Sequence, residues 1–325
     1  MTGFAVVGLG MGKNRARVIR ETEGADLKLL VDLDAERAES AAIELETEWT
    51  TELDAALGRD DVDVVVVMTP SGTHADIGCR AAAAGKHVIT TKPMDVSTEA
   101  CDRLIEACEK AGVLCAVDYQ SRYVDNNVRV AEALKQGLFG KPILGEVRFK
   151  WHRPQSYFDS GTGWRGTWKM DGGGSLANQG AHLLDILSWF MGDPVRVYGE
   201  MAVMNHDIET EDIGLAIVSF ESGAKGTVLG TTTFPDSPYF GAEVHGTEGG
   251  VLIPNALSGE WQVFGEGLEE KLNAIENDRT SIVDDFLGAL NGGRPLRVDG
   301  KEGRRTVALL EKIYDSARQG APIDV

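Results

Sequence analysis

Cysteine is scarce in this chain of 325 residues: there are four, Cys79, Cys101, Cys108 and Cys115, and no two form a CxxC pair. A disulfide framework or a thiolate metal centre needs more thiols or closer ones, so buried free thiols in a reducing compartment are expected. Metal-ligand spacing is lacking too. His74, His87, His152, His182, His206 and His245 show neither H-x-x-x-H nor H-E-x-x-H, and no metal site is expected. No apolar run approaches the roughly eighteen residues of a membrane helix. Positive charge is short: 32 Lys and Arg against 51 Asp and Glu leave a net charge of −19. So acidic a surface repels phosphate backbones and anionic lipid, which argues against nucleic-acid and membrane partners. No basic stretch precedes the apolar Phe4–Val7 run, so no signal peptide is expected and the location is read as cytoplasmic.

The chain is too long for one ordinary core, and two domains are expected, 1–120 and 121–325. In the first, short apolar runs alternate with helical patterns. Strands are expected at 3–7, 27–31, near Trp49, at 62–68, 88–90 and 113–117. Helices are expected at 13–21, 34–44, 53–57, 74–84 and 98–111. The Val62–Met68 run, apolar except at Asp63 and unbroken from Val64, suits a strand buried on both faces. This rhythm predicts an α/β unit with a doubly wound parallel sheet, the Rossmann arrangement. After Tyr119 the rhythm changes. A helix at 127–136 and a strand at 143–151 precede a glycine- and tryptophan-rich stretch at 160–175. A helix at 176–191 follows, then successive strands at 195–204, 213–220, 224–233, 240–246 and 250–253. Helices near 280–290 and 302–318 close the chain. An α+β domain with a large open, mostly antiparallel sheet is expected.

The first strand meets the first helix through Gly8-Leu9-Gly10-Met11-Gly12-Lys13. Gly8 permits a tight turn, and Gly10 lets backbone approach a pyrophosphate. The helix N-terminus beyond Met11 offers free N–H groups and a positive dipole end. The third glycine falls at Gly12, with Lys13 in the usual slot, so the motif alone is weak. Its context is a strand before, a helix after, and Asp32 at the end of the second strand. An Asp32 carboxylate can accept from ribose hydroxyls and repels a 2′-phosphate, which favours NAD over NADP. Arg37 stands close enough to compensate a phosphate, or is a solvated helix residue.

Three further segments carry a resemblance. Thr69-Pro70-Ser71-Gly72-Thr73-His74 follows the buried strand, and Thr91-Lys92-Pro93 follows the next. Asp171-Gly172-Gly173-Gly174-Ser175 leads to Asn178-Gln179-Gly180-Ala181-His182 and Asp185. With Tyr119–Tyr123 and Trp164-Arg165-Gly166-Thr167-Trp168, these resemble the glucose-fructose oxidoreductase/inositol dehydrogenase/rhizopine-catabolism (Gfo/Idh/MocA) family along essentially the whole chain. The resemblance implies an NAD-dependent oxidoreductase with its active site between the domains, over the nicotinamide. It also implies a homodimer or homotetramer built on the open sheet.

Oxidising an alcohol needs a hydride acceptor, a base and positive charge near the developing alkoxide. The resemblance gives the charge to Lys92 and the base to His182, an imidazole being suited to working pH. It places Thr69, Pro70, His74, Thr91 and Arg165 around the cofactor. Asn178, Trp164, Tyr123 and Arg153 fall near substrate, with interdomain packing an equal account of Tyr123 and Arg153. Asp185 either reaches substrate or is satisfied locally. Two departures stand out. Asn178 replaces the aspartate of inositol-dehydrogenase-like members, and Thr91 replaces the glutamate of Glu-Lys-Pro. The expected reaction is hydride transfer between a secondary hydroxyl or ketone of a sugar, sugar derivative or cyclitol and NAD. The alternatives are a cofactor-retaining enzyme for glycoside cleavage or epimerisation, and a non-catalytic dinucleotide sensor.

Overall fold

The computed structural model describes residues 1–235 and 239–325. The chain forms two compact units, Met1–Asp118 with Ser281–Arg304, and Tyr119–Thr280 with Arg305–Val325.

The first unit alternates β1 (Thr2–Val7), α1 (Gly12–Glu21), β2 (Ala25–Val31), α2 (Ala35–Leu45), β3 (Glu48–Thr50), α3 (Leu53–Leu57) and β4 (Val64–Val67). It continues with α4 (His74–Ala83), β5 (His87–Thr91), α5 (Thr98–Ala111) and β6 (Cys115–Asp118). The six strands are ordered β3-β2-β1-β4-β5-β6, every pair parallel. The order reverses beside β1, where doubly wound sheets bind ligands. Val64, Val65, Val66 and Val67 are fully buried, as an apolar run without alternation requires. Each such valine contributes about 1.5–3 kcal/mol. Helices α2 and α5 start on side-chain caps, Asp34 accepting from Arg37 N–H and Ser97 from Ala100 N–H. Helix α1 has no side-chain cap and no acid in its first turn, so its N-terminal dipole is uncompensated by side chains.

The second unit runs α6 (Asp125–Lys135), β7 (Pro142–Lys150), α7 (Gln155–Asp159), α8 (Ala181–Met191), β8 (Pro194–Ala202), β9 (Ile213–Phe220) and β10 (Lys225–Thr231). Strands β11 (Tyr239–Gly246), β12 (Gly250–Ile253) and β13 (Gln262–Phe264) precede α9 (Leu268–Asn273). Helix α10 (Ile282–Gly292) lies in the first unit, and α11 (Gly300–Gln319) and β14 (Ile323–Asp324) follow. The eight-stranded sheet has the order β13-β12-β11-β7-β10-β9-β8-β14. Its pairs are antiparallel except β7 with β10. Alternation assigns the faces: Val147 and Phe149 of β7 and Ala216, Val218 and Phe220 of β9 join Leu183, Leu184 and Leu187 of α8 in the core. Leu215 and Ile217 point the other way and are 41 % and 56 % exposed.

The single helix expected over 176–191 is instead two pieces. A π-helical turn at Ser175–Gln179 precedes α8, joined at Gly180. Helix α7 and strands β13 and β14 are short elements without a sequence signal. Among the described residues, no helix is long and apolar enough to cross a membrane.

Candidate active site

In the first unit, the glycine loop sits at the C-terminal end of β1. Gly8 has φ +89°, and a Cβ there would stand 2.8 Å from the Met68 carbonyl oxygen. A Cβ on Gly12 would meet Met68 Cβ at 3.1 Å and Val6 Cγ1 at 3.2 Å. Gly12 therefore does the close helix-to-strand packing usually left to a later glycine. Gly10 differs from both: no protein atom lies within 4 Å of where its Cβ would be. A cradle open at Gly10, beside a helix N-terminus without a side-chain cap, fits a dinucleotide pyrophosphate.

Asp32 is 8 % exposed and braces this loop: Leu9 N–H donates to Oδ2 at 2.7 Å and Asp34 N–H to Oδ1 at 2.9 Å. Arg37 donates to the same carboxylate at 3.1 Å and also pairs with Asp34. Met11, the residue before α1, is exposed.

Two further loops leave the sheet beside this one. The Thr69 and Thr73 hydroxyls are 2.7 Å apart, and Thr73 also donates to the Pro70 carbonyl. His74, buried at the start of α4, bridges the loops: Nε2 lies 2.8 Å from the Thr69 oxygen and Nδ1 3.0 Å from the Pro93 oxygen. Burial pushes its pKa down, against the pull of those carbonyls and of Asp95. A neutral ring donates to one of the two oxygens. Lys92 is half-buried in the loop after β5. Its predecessor Thr91 is in register with Asp118 on β6. Asp118, 2 % exposed and ion-paired with Arg15, has its pKa raised by burial, and the charges of Arg15 and Lys92 oppose that rise. A carboxylate therefore acts on Lys92 from the neighbouring strand, where Thr91 carries none.

In the second unit, His182 is half-buried in the first turn of α8, its ring edge-on to Tyr119 at 5.8 Å and Nδ1 3.5 Å from the Ser121 hydroxyl. The preceding π-turn carries Asn178, whose amide donates to Asp171 Oδ1 at 2.6 Å. The carboxylate absent at 178 is thus present one contact away. Asp185 is fully buried and takes a bidentate pair from Arg122, at 2.6 and 2.8 Å, with Thr306 at 3.3 Å. Both its oxygens are engaged by side chains far away in sequence, not by the local backbone. Tyr123 is 8 % exposed on the turn before α6, its carbonyl accepting from Asn277. Arg153, Trp164 and Arg165 come together around Tyr157.

One group at the root of this site has no sequence signal. Glu211, 2 % exposed, accepts from Gly174 N–H (2.9 Å), Leu176 N–H (2.7 Å), the Ser175 hydroxyl (3.3 Å) and the Tyr314 hydroxyl (2.9 Å). It gathers the donors at the start of the π-turn and so sets where Asn178 and His182 emerge. A Cβ on Gly174 would lie 1.9 Å from the Glu211 carbonyl oxygen. As one acid among 51 in a −19 chain, Glu211 looks like surface in the sequence.

A doubly wound sheet with an open glycine cradle, followed by a sheet-based unit presenting amide, imidazole and guanidinium groups, defines a dinucleotide-dependent oxidoreductase. Comparison with known proteins makes this specific. Residues 2–119 match the model of the oxidoreductase family with an NAD-binding Rossmann fold, and residues 127–252 match the GFO/IDH/MocA C-terminal domain. The chain belongs to the Gfo/Idh/MocA family. It is 29% identical to the scyllo-inositol 2-dehydrogenase (NAD(+)) of Bacillus subtilis, over 88% of this chain and 90% of that protein. It is 27% identical to the D-apiose dehydrogenase of Paraburkholderia graminis, over 99% and 89%. The WlbA dehydrogenase of Bordetella pertussis, solved with NADH and UDP-GlcNAcA, is 30% identical with a TM-score of 0.91, covering 100% of this chain and 97% of that one.

Proposed function

We propose that this NAD-binding oxidoreductase interconverts a secondary hydroxyl and a ketone on a sugar, sugar derivative or cyclitol. The observation that carries the reading is the pairing of chemistries within the family frame. Lys92 leaves the cofactor sheet next to a buried carboxylate, and His182 opens α8. The relatives' names, an inositol and an apiose dehydrogenase, support polyol substrates.

Bound nicotinamide supplies the hydride acceptor or donor. Gly8, Gly10, Met11 and Gly12 take the pyrophosphate, and Asp32 takes the ribose hydroxyls, with Arg37 flanking it. Thr69, Pro70, His74 and Thr91 border the rest of the cofactor, and Arg165, beside Arg153 on Tyr157, borders both nicotinamide and substrate. The Lys92 ammonium lowers the pKa of the substrate hydroxyl, and His182 removes its proton. Asn178 orients a hydroxyl, with Tyr123, Arg153 and Trp164 shaping the pocket. Asp185 contributes by fixing Arg122 against α8. Residues 1–120 serve the cofactor, with Ser281–Arg304 packed in the same unit, and the rest of 121–325 serves the substrate and self-association. The enzyme works in the cytoplasm as a homodimer or homotetramer. Its free cysteines support the first reading, and the exposed apolar side chains of β9 support the second.

Substituting Lys92→Ala tests the assignment. Turnover of a panel of sugars, inositols and nucleotide sugars, followed at the NADH absorbance, should fall by about 1,000-fold or more. NAD affinity, measured calorimetrically, should change less than about threefold. Undiminished turnover overturns the role of Lys92.

A further inference from the structure

We propose that the substrate carries an oxyanion, a carboxylate or a phosphoryl group, which Arg153 and Arg165 hold on the second unit. The inference rests on the reading that Asn178 and His182 face the substrate, and it narrows that substrate from sugars in general to charged ones.

The two guanidiniums share one ring. Arg153 lies 4.8 Å and Arg165 4.7 Å from the Tyr157 centroid. Each also lies over a tryptophan, Arg153 over Trp151 at 4.9 Å and Arg165 over Trp164 at 4.9 Å. The result is an alternating stack, Trp151–Arg153–Tyr157–Arg165–Trp164. Stacking holds a guanidinium flat and fixes the direction of its donors. It does not neutralise charge, and two cations on one ring repel each other.

No carboxylate offsets that repulsion among the described residues. Many arginines of this acid-rich chain meet acids, Arg122 pairing with Asp185, Arg148 with Glu243 and Arg304 with Asp102, though Arg129 meets only amide and carbonyl oxygens. Here the contacts are neutral, Arg153 donating to Gln179 Oε1 at 3.0 Å and Arg165 to the Ser160 hydroxyl at 3.2 Å. The Nε of each is buried with no hydrogen-bond partner. Nearby acids are committed to other groups. Asp159 accepts from Gln155, Asp171 from Asn178 and Gly166, and Asp212 from His206 and backbone.

The stack is also built into the fold at the catalytic helix. Gln179 turns its amide to the Tyr157 hydroxyl (2.9 Å) and to Asn178 (3.2 Å), and the His206 ring holds the Arg153 carbonyl at 2.7 Å. His182 follows Gln179 by three residues. A paired, pre-oriented and uncompensated double cation at that place suits a planar carboxylate or a phosphoryl group. The dinucleotide's own pyrophosphate has the glycine cradle of the first unit.

Tryptophans at both ends of the stack provide a readout that needs no turnover. Wild-type protein and the variants Arg153→Gln, Arg165→Gln and Arg165→Lys are titrated with D-glucose, D-glucuronate and D-glucose 6-phosphate, with and without saturating NADH. Intrinsic fluorescence gives each Kd. We expect at least one charged sugar to bind tenfold or more tighter than glucose, with the preference shrinking as salt rises. The glucuronate and glucose 6-phosphate arms tell carboxylate from phosphoryl. Each Gln variant should shrink the preference for the charged sugar over glucose by tenfold or more, whatever it does to glucose itself. Arg165→Lys, which keeps the charge and the fold, should retain part of the preference. Equal binding of all three sugars, including no binding of any, overturns the proposal, as does an unchanged preference in the Gln variants. An inactive dehydrogenase that still discriminates charge would sink the catalytic reading alone.

Discussion

At the scale of single residues, the glycine loop separates fold from function. A methyl group on Gly8 would meet the Met68 carbonyl in a left-handed conformation, so Gly8→Ala should cost about 1–3 kcal/mol. A methyl group on Gly10 meets no protein atom within 4 Å. Gly10→Ala should leave the Tm within about 1 °C yet weaken NAD binding by roughly tenfold or more, because the methyl fills the space that backbone offers a phosphate. Thermal melts beside NAD calorimetry on both variants check the pair of outcomes. A Gly10→Ala protein with unchanged NAD affinity would contradict the cradle. The roles of Gly8 and Gly10 follow from the sequence, since strand, glycine and helix occur in one short stretch. The role of Gly12 does not, because its neighbour Met68 is 56 residues away along the chain.

At the scale of elements, the π-turn before α8 depends on Glu211. Burial holds this carboxyl above its ordinary range near 4.5, so the folded state keeps the proton to higher pH than the unfolded chain. The group's contribution to stability is therefore full below about pH 4.5 and is lost as pH rises through the folded value. Glu211→Gln removes this dependence. The stability of wild type relative to Glu211→Gln should fall as pH rises from about 4.5 toward neutrality, measured by urea unfolding at each pH. Glu211→Ala strands two backbone N–H groups and two hydroxyls, and should cost at least about 3 kcal/mol and displace His182 enough to cut turnover. Local regularities made most elements readable. Alternation and caps such as Ser97 and Asp34 lie within a few residues of what they determine, and α3 and α5 fall where the sequence places them. The break at Gly180 was not readable, because its cause is an acid more than thirty residues downstream. Nor was the packing of Ser281–Arg304 with the first unit, where Leu287 faces Gly24 and Phe286 faces His87. Those contacts have no periodicity of their own. Motifs alone single out Lys92 and His182 as the proposed catalytic pair, whereas the Arg15–Asp118 pair and the stack on Tyr157 exist only once distant segments meet.

At the scale of the whole molecule, charge and exposed apolar surface act in opposite directions. A net charge of −19 makes the folded chain repel itself and its copies. Screening should relieve this, and the Tm should rise by a few degrees, roughly 2–5 °C, between low salt and about 0.5 M NaCl. A flat or falling Tm would show that local ion pairs outweigh the net repulsion. The proposed association through the open sheet face would put the exposed Leu215 and Ile217 in an interface. Ile217→Glu puts a charge there and should convert the particle to a 35.0 kDa monomer by light scattering. An unchanged mass would move the interface elsewhere. The edges of that sheet bear on what kind of assembly can form. They are β13, of three residues, and β14, of two. Strands so short give an incoming chain almost no ladder to extend. Strand addition onto β13 or β14, a route to ribbons and fibrils, therefore has little ladder to follow, and the association proposed above uses the face instead. Two identical faces meeting about a twofold axis satisfy each other and stop there. An assembly of the proposed kind would limit its own size, so that the enzyme could accumulate in a cell without accumulating as polymer.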